Sequence, residues 1–292
     1  MRDFVGEIGD YARSFDPSFI IIPQNGQELI TGNGEEDGSP VISYLDAIDG
    51  VGREDLFYGY DGDNIPTPTF DRDYMISFLD IAEDNHVEVL VIDYCWTQSY
   101  VDDSYSQNSA RGYISFAADH RELDNIPSYP EAPYKANSSD ISSLSSAQNF
   151  LYLINPGQFS DRGSFLSALE GTDFDLLIID LFFNGQELTS TDVAALKRKD
   201  NGAARLVIAY MSIGEAEDYR YYWNPEWEVS PPDWLDEENL YWPGNYKVRY
   251  WEPDWQDIIF GNNDSYCKKI IDSGFNGAYL DIIDAFEYFE NR

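Results

Sequence analysis

Short, continuous runs of aliphatic and β-branched residues punctuate this chain, and most of them stop abruptly on an acid or an amide. LLIID (Leu176 to Asp180), RLVIAY (Arg205 to Tyr210) and VEVLVIDY (Val87 to Tyr94) are the clearest. A strand with one wet face alternates apolar and polar residues, whereas a strand apolar at every position must be covered on both faces. The runs therefore call for a parallel sheet with helices packed over it.

Strands are expected at Phe19 to Pro23, Val41 to Ile48, Val87 to Tyr94, Tyr113 to Phe116 and Phe150 to Ile154. Others are expected at Leu176 to Asp180, Leu206 to Tyr210, Tyr246 to Tyr250 and Ala278 to Ile283. Helical periodicity falls between them, at Phe4 to Phe15, Tyr74 to Asp84, Arg162 to Leu169, Asp192 to Lys199 and Trp255 to Ser273. Eight or nine such units predict an α/β fold closed as a (β/α)8 TIM barrel, with an open doubly wound sheet as the alternative. No GxGxxG or P-loop pattern follows any run, which weakens a nucleotide-binding sheet. A Pro- and Ser-rich stretch at about 126–148 (IPSYPEAPYKANSSDISSLSSAQ) reads as linker-like within one expected domain over 1–292.

Charge narrows the function. There are 54 acids against 18 bases, a formal net charge of −36. Nucleic acid and anionic membrane surfaces would be repelled by a field of that sign. The acids are scattered through the loops, as on a solvated surface suited to high salt, but an acidic cleft for a cationic substrate fits the same count. With only Cys95, Cys267, His86 and His120 available, no zinc pattern can be assembled, and a Ser-His-Asp triad would have two imidazoles to choose from. No run of about 18 apolar residues and no signal-like N-terminal order is present, so a soluble chain is expected.

The chemistry-bearing residues cluster after strands. Asp180, Glu215 and Asp281 follow three second-half strands; Asn25, Glu28, Glu54 and Asp93 follow first-half ones. An acid just past a strand often caps the next helix. Asp180, Asp281 and Asp93, however, sit within or at the very end of apolar runs, where a carboxylate must be paired, hydrogen-bonded or functional. Aromatics such as Tyr152, Tyr210 and Trp251 flank the same strands and can serve as stacking faces for sugar rings or as ordinary packing. Paired carboxylates with aromatic walls suit glycosidic bond cleavage. Glu217 and Arg220 have the spacing of a structural pair on a following helix.

The motifs YMSIGEAEDYRYYW, WPGNYKVRYWEPDW, GFNGAYLDIIDAFEYF, FIIIPQNGQEL and ADHRELDNIPSYP together resemble the bacterial and archaeal branch of glycoside hydrolase family 114, the endo-α-1,4-polygalactosaminidase-like barrels. The resemblance implies a TIM barrel, cleavage of an α-1,4-linked galactosamine-containing polysaccharide, no cofactor and an extracellular or cell-envelope setting. It departs from the family in two ways. The SIGEAE and YLDIIDAF strands follow the IIPQNG and VIDY strands, a circularly permuted order. The WPGE glutamate of the fungal branch is Asn245 here, and an amide cannot carry the proton.

Asp180 matches the family's Asp, which leaves Glu215 as the expected second catalytic carboxylate and Asp281 as a substrate or pKa-tuning acid. Substrate contacts are expected from Tyr210, Tyr152, Asn245, Trp251, Asn25, Glu28, Glu54 and Asp93. A non-catalytic carbohydrate-binding barrel is the alternative function. A metal-dependent hydrolase using Asp180, Glu215 and Asp281 as oxygen ligands is a third.

Overall fold

The computed structural model describes residues 1–290. Eight parallel strands form its centre: β1 (Ile20–Pro23), β2 (Gly50–Glu54), β3 (Glu88–Tyr94), β4 (Ile114–Ala118), β5 (Phe150–Leu153), β6 (Leu176–Asp180), β7 (Leu206–Ser212) and β8 (Gly277–Asp281). They pair as a five-stranded sheet in the order β1-β8-β7-β6-β5 and a three-stranded sheet in the order β2-β3-β4. The two sheets meet at two seams. Gln24 bridges Gly52 and Ser115 bridges Asn149, both in parallel sense, in place of continuous ladders. The first seam also carries backbone bonds from Asn25 N–H to the Gly52 carbonyl (2.8 Å) and from Asp49 N–H to the Ile21 carbonyl (2.9 Å). β1 lies hydrogen-bonded beside β8, with Ile20 opposite Gly277.

The apolar runs are explained by burial, since every residue of β1, β4, β5, β6 and β7 is buried. Helices cover the outer side. Arg2–Arg13 buries Phe4, Val5, Ile8, Gly9 and Ala12 along one face, and Thr69–Asp84 buries Met75, Ile76, Phe78, Leu79 and Ala82. Among the described residues no helix is long and apolar enough to cross a membrane.

Several expectations are corrected. The Val41 to Ile48 run contains only a one-turn helix, Ile42–Leu45, and the strand lies beyond it at β2, whose sequence is GVGRE. Those glycines have a spatial cause. A Cβ on Gly52 would stand 2.0 Å from the Tyr279 hydroxyl, so the buried phenol of β8 occupies the room that a side chain on β2 would need. The Tyr246 to Tyr250 run does form a strand (Asn245–Val248), but one that lies in a separate antiparallel sheet between Glu215–Glu217 and Leu235–Glu238. Trp255 to Ser273 is two helices, Pro253–Ile259 and Tyr266–Asp272.

The stretch at 126–148 is not a free tether. Ile141 and Leu144 are buried, and the carbonyls of Asn137 and Ser139 accept from the Lys199 ammonium at 3.2 and 3.0 Å. The same ammonium pairs with Asp175 at 2.5 Å, and both side chains are fully buried. Such a pair costs desolvation and survives by being completely hydrogen-bonded.

Candidate active site

The C-terminal ends of the strands open onto a cavity of about 490 Å³. The carboxyl ends of parallel strands are where ligands of α/β sheets collect. Gln24 and Asn25 reach it from β1, Glu54 from β2, Tyr94 from β3 and Tyr152 from β5. Asp180, Tyr210 and Asp281 enter from β6, β7 and β8, three consecutive neighbours in the sheet. Glu215, Arg220, Trp242 and Asn245 close the side formed by the chain between β7 and β8.

Asp180 is clamped. Arg220 Nη1 stands 2.9 Å from Oδ1 and 2.7 Å from Oδ2, and the Phe182 N–H donates to Oδ1 at 2.7 Å. Arg220 also holds Glu217, Nε to Oε2 at 2.5 Å. Burial pushes the Asp180 carboxyl up, while the guanidinium and the Phe182 N–H pull it back. Burial likewise opposes the Arg220 charge, but Glu217, Tyr266 and Asp180 outweigh it and hold that charge well above its usual range. The i, i+3 pairing of Glu217 with Arg220 is present, on a strand and turn instead of a helix, and its extension to Asp180 is additional to the sequence reading.

Glu215 is 2% exposed and accepts from Asn239 Nδ2 at 2.8 Å and Asn245 Nδ2 at 3.3 Å, with Lys247 Nζ at 3.5 Å. Glu215–Glu217 is therefore a strand, where the sequence suggested the start of a helix. The small-residue exit before it has a reason. A Cβ on Gly214 would lie 2.0 Å from the Ile282 carbonyl oxygen, so glycine alone lets the β7 exit pass against the β8 exit. Ile282 itself sits at φ 58°, a left-handed conformation that is costly for a β-branched residue.

Asp281, just before that strained residue, accepts from the Tyr210 hydroxyl at 2.8 Å (Oδ2) and from the Ile282 N–H at 2.8 Å (Oδ1). Burial, with Glu54 nearby, pushes its carboxyl up to about 8, against the pull of those two bonds. Burial and Glu54 likewise carry Asp284 to about 6. Glu54 accepts from the Tyr94 hydroxyl and, at 3.0 Å, from Asn25 Nδ2. The Tyr152 hydroxyl donates to Gln24 Oε1 at 2.9 Å.

Three expected contacts lie elsewhere. Glu28 lines a second cavity of about 290 Å³, which shares Asn25, Glu54 and Asp284 with the first. Trp251 lines neither cavity; it is half-exposed and packs edge-on against Tyr250 and Phe289. Asp93 is fully buried away from the mouth. It accepts from the Phe57 and Tyr58 N–H groups (2.8 and 3.2 Å), Ser104 Oγ (2.6 Å) and Asn108 Nδ2 (3.1 Å). Successive strand residues face opposite ways, so Asp93 turns to the helix layer while Tyr94 faces the cavity.

The sequence reading missed Arg121, which bonds Asp55 at 2.7 Å and stands 3.9 Å above the Tyr94 ring, although ADHRELD carries it. It also missed Asn239 and Lys247, which reach Glu215 only through antiparallel pairing. Among the described residues no group of three or more His, Cys, Asp or Glu side chains is arranged to hold a metal ion.

A family model for glycoside-hydrolase family GH114 matches residues 130–292, more than half of the chain. The chain belongs to glycoside-hydrolase family 114. The family 114 match takes in Asp180, Glu215, Asn245 and Asp281 and stops short of β1 to β4. The chain is 40% identical over 181 residues to an uncharacterised protein of Methanocaldococcus jannaschii, covering 61% of this chain and 49% of that protein. It is 41% identical over 121 residues to an uncharacterised protein of Thermotoga maritima, covering 41% of this chain and 36% of the other. It thus spans about half or less of the length of these relatives.

Proposed function

We propose that this family 114 chain hydrolyses an α-1,4 linkage within a galactosamine-containing polysaccharide, using carboxyl groups drawn from Asp180, Glu215 and Asp281. The observation that carries the reading is the convergence of these three side chains on one cavity at the ends of neighbouring strands. One acid to protonate the leaving oxygen and one to serve as base or nucleophile are the requirements of glycosidic cleavage. Trp242, Tyr152 and Tyr210 give the same cavity flat apolar surface for sugar faces. The eight parallel strands, joined at the Gln24–Gly52 and Ser115–Asn149 bridges, are read here as a (β/α)8 barrel with two loose seams. β1 lies beside β8, as a permuted chain order requires.

An amino sugar without its acetyl group is cationic, and a net charge of −36 raises its concentration at the surface. Added salt should therefore weaken its binding. The test is turnover of a de-N-acetylated α-1,4-galactosamine oligomer by the wild type, Asp180→Asn and Glu215→Gln. Turnover by the wild type and loss in both variants supports the reading. A wild type that binds the oligomer without cleaving it would replace the enzyme with a carbohydrate-binding barrel, and full rate in either variant would remove that residue from the machinery.

A further inference from the structure

Resting on the glycosidase reading, we infer that Asp281 is the proton donor to the leaving oxygen, that the base or nucleophile is drawn from the cation-bonded pair Asp180 and Glu215, and that Tyr210 is the positioning residue for the donor. The contacts of the three carboxyls separate them. Asp180 has a guanidinium against both oxygens and a backbone N–H. Glu215 has two amide donors and an ammonium. Every one of these hydrogen-bonding partners donates, and each set includes a cation, which is the company a carboxylate keeps; Asp180 shares its guanidinium with Glu217.

Asp281 is set differently. Tyr210 from β7 bonds it, and Glu54 from β2, Asp284 from its own exit loop and Tyr152 from β5 line the same cavity. The Ile282 N–H also donates to Asp281 Oδ1 at 2.8 Å, and among the described residues no cation bonds that carboxyl. A half-buried carboxyl with acidic neighbours and, among the described residues, no bonded cation keeps its proton, and its rise to about 8 agrees with this.

Tyr210 fixes the donor in space. Its backbone pairs with Asp180 on one side and Tyr279 on the other, and its hydroxyl crosses to Asp281 Oδ2 at 2.8 Å. Tyr210 thus lies in register beside the carboxylate of β6 and reaches with its side chain to that of β8. In the reaction Asp281 gives its proton to the glycosidic oxygen as the C1–O bond breaks, and that oxygen keeps the bonding pair. One water is consumed overall. Its oxygen ends on C1, one of its protons stays on the new hydroxyl and the other restores Asp281.

The experiment compares two probes, the galactosamine oligomer and a 2,4-dinitrophenyl α-galactosaminide, whose leaving group departs without a proton. Asp281→Asn should lose about 10²- to 10⁴-fold on the oligomer, the usual contribution of a general acid, and stay within about tenfold of wild type on the aryl glycoside. Asp180→Asn should lose both. Tyr210→Phe removes a hydrogen bond that holds the Asp281 pKa down, so the alkaline limb of the oligomer pH profile should move to higher pH, a shift that a merely structural role would not give. Equal losses on both probes for Asp281→Asn, or an unmoved limb in a folded Tyr210→Phe, would overturn the assignment. A wild type silent on both probes would instead strike the glycosidase reading on which it rests.

Discussion

The Asn245 side-chain amide donates to Glu215 Oε2 at 3.3 Å, although its backbone sits opposite Glu217. The position where fungal family members are expected to carry a glutamate is thus occupied here by a donor to another carboxylate. Asn245→Glu would set two carboxyls against each other and oblige one to hold a proton. A carboxyl pKa raised in the folded state stabilises at low pH and loses that contribution as pH rises through it. The variant should therefore melt below wild type at pH 8 and approach it at pH 5, as thermal unfolding at the two pH values would show.

Arg220 neutralises Asp180 and Glu217 together inside the protein. Arg220→Gln leaves both acids buried without a cation and should cost about 3–5 kcal/mol, the usual penalty for breaking a buried pair. Urea unfolding measures it. Arg220→Lys keeps the charge but loses the two-sided grip on Asp180, and is expected to fall between wild type and Arg220→Gln in stability.

Acidity should stabilise the folded chain over part of the neutral range. Burial raises Asp281 to about 8 and Asp284 and Asp93 to about 6, so the folded state binds protons that the unfolded state has already released. By linkage, stability then falls as pH rises from the ordinary carboxylate range to about 8. The melting temperature of the wild type should be higher at pH 6 than at pH 8. Asp281→Asn should flatten the upper half of that slope.

Asp93 gives the contrasting result. Asp93→Ala removes the acceptor for four donors and leaves the Phe57 and Tyr58 N–H groups and the Ser104 hydroxyl without it in the interior, so a loss of about 2–5 kcal/mol is expected. Because the side chain faces the helix layer, kcat per folded molecule should stay at the wild-type value. Chemical denaturation paired with active-site-normalised kinetics separates the two effects.

How far the sequence could be read follows from where each residue's partners lie. Asp180 and Asp281 were legible because an acid that ends a fully buried aliphatic strand has few places to go except the mouth. β2 was not, because its side-chain space is filled by Tyr279, and GVGRE carries no apolar signal of its own. The helix Gln98–Arg111 was equally hidden. Its buried face includes Ser104 and Asn108, which bind Asp93 in place of the apolar stripe that periodicity detects. The grip of Arg220 on Asp180 joins residues 40 apart in the chain and rests on a turn whose shape local spacing does not encode.

The contact between Gly52 and the Tyr279 hydroxyl ties two strands of the two separate sheets into one evolutionary unit. Position 52 cannot gain even a methyl group while position 279 remains a tyrosine. A lineage in which 279 shrinks below an aromatic ring is free to enlarge 52, and the order of the two changes is constrained, with the ring going first. Homologous sequences should therefore show the two positions varying together, large with small, although nearly the whole chain separates them.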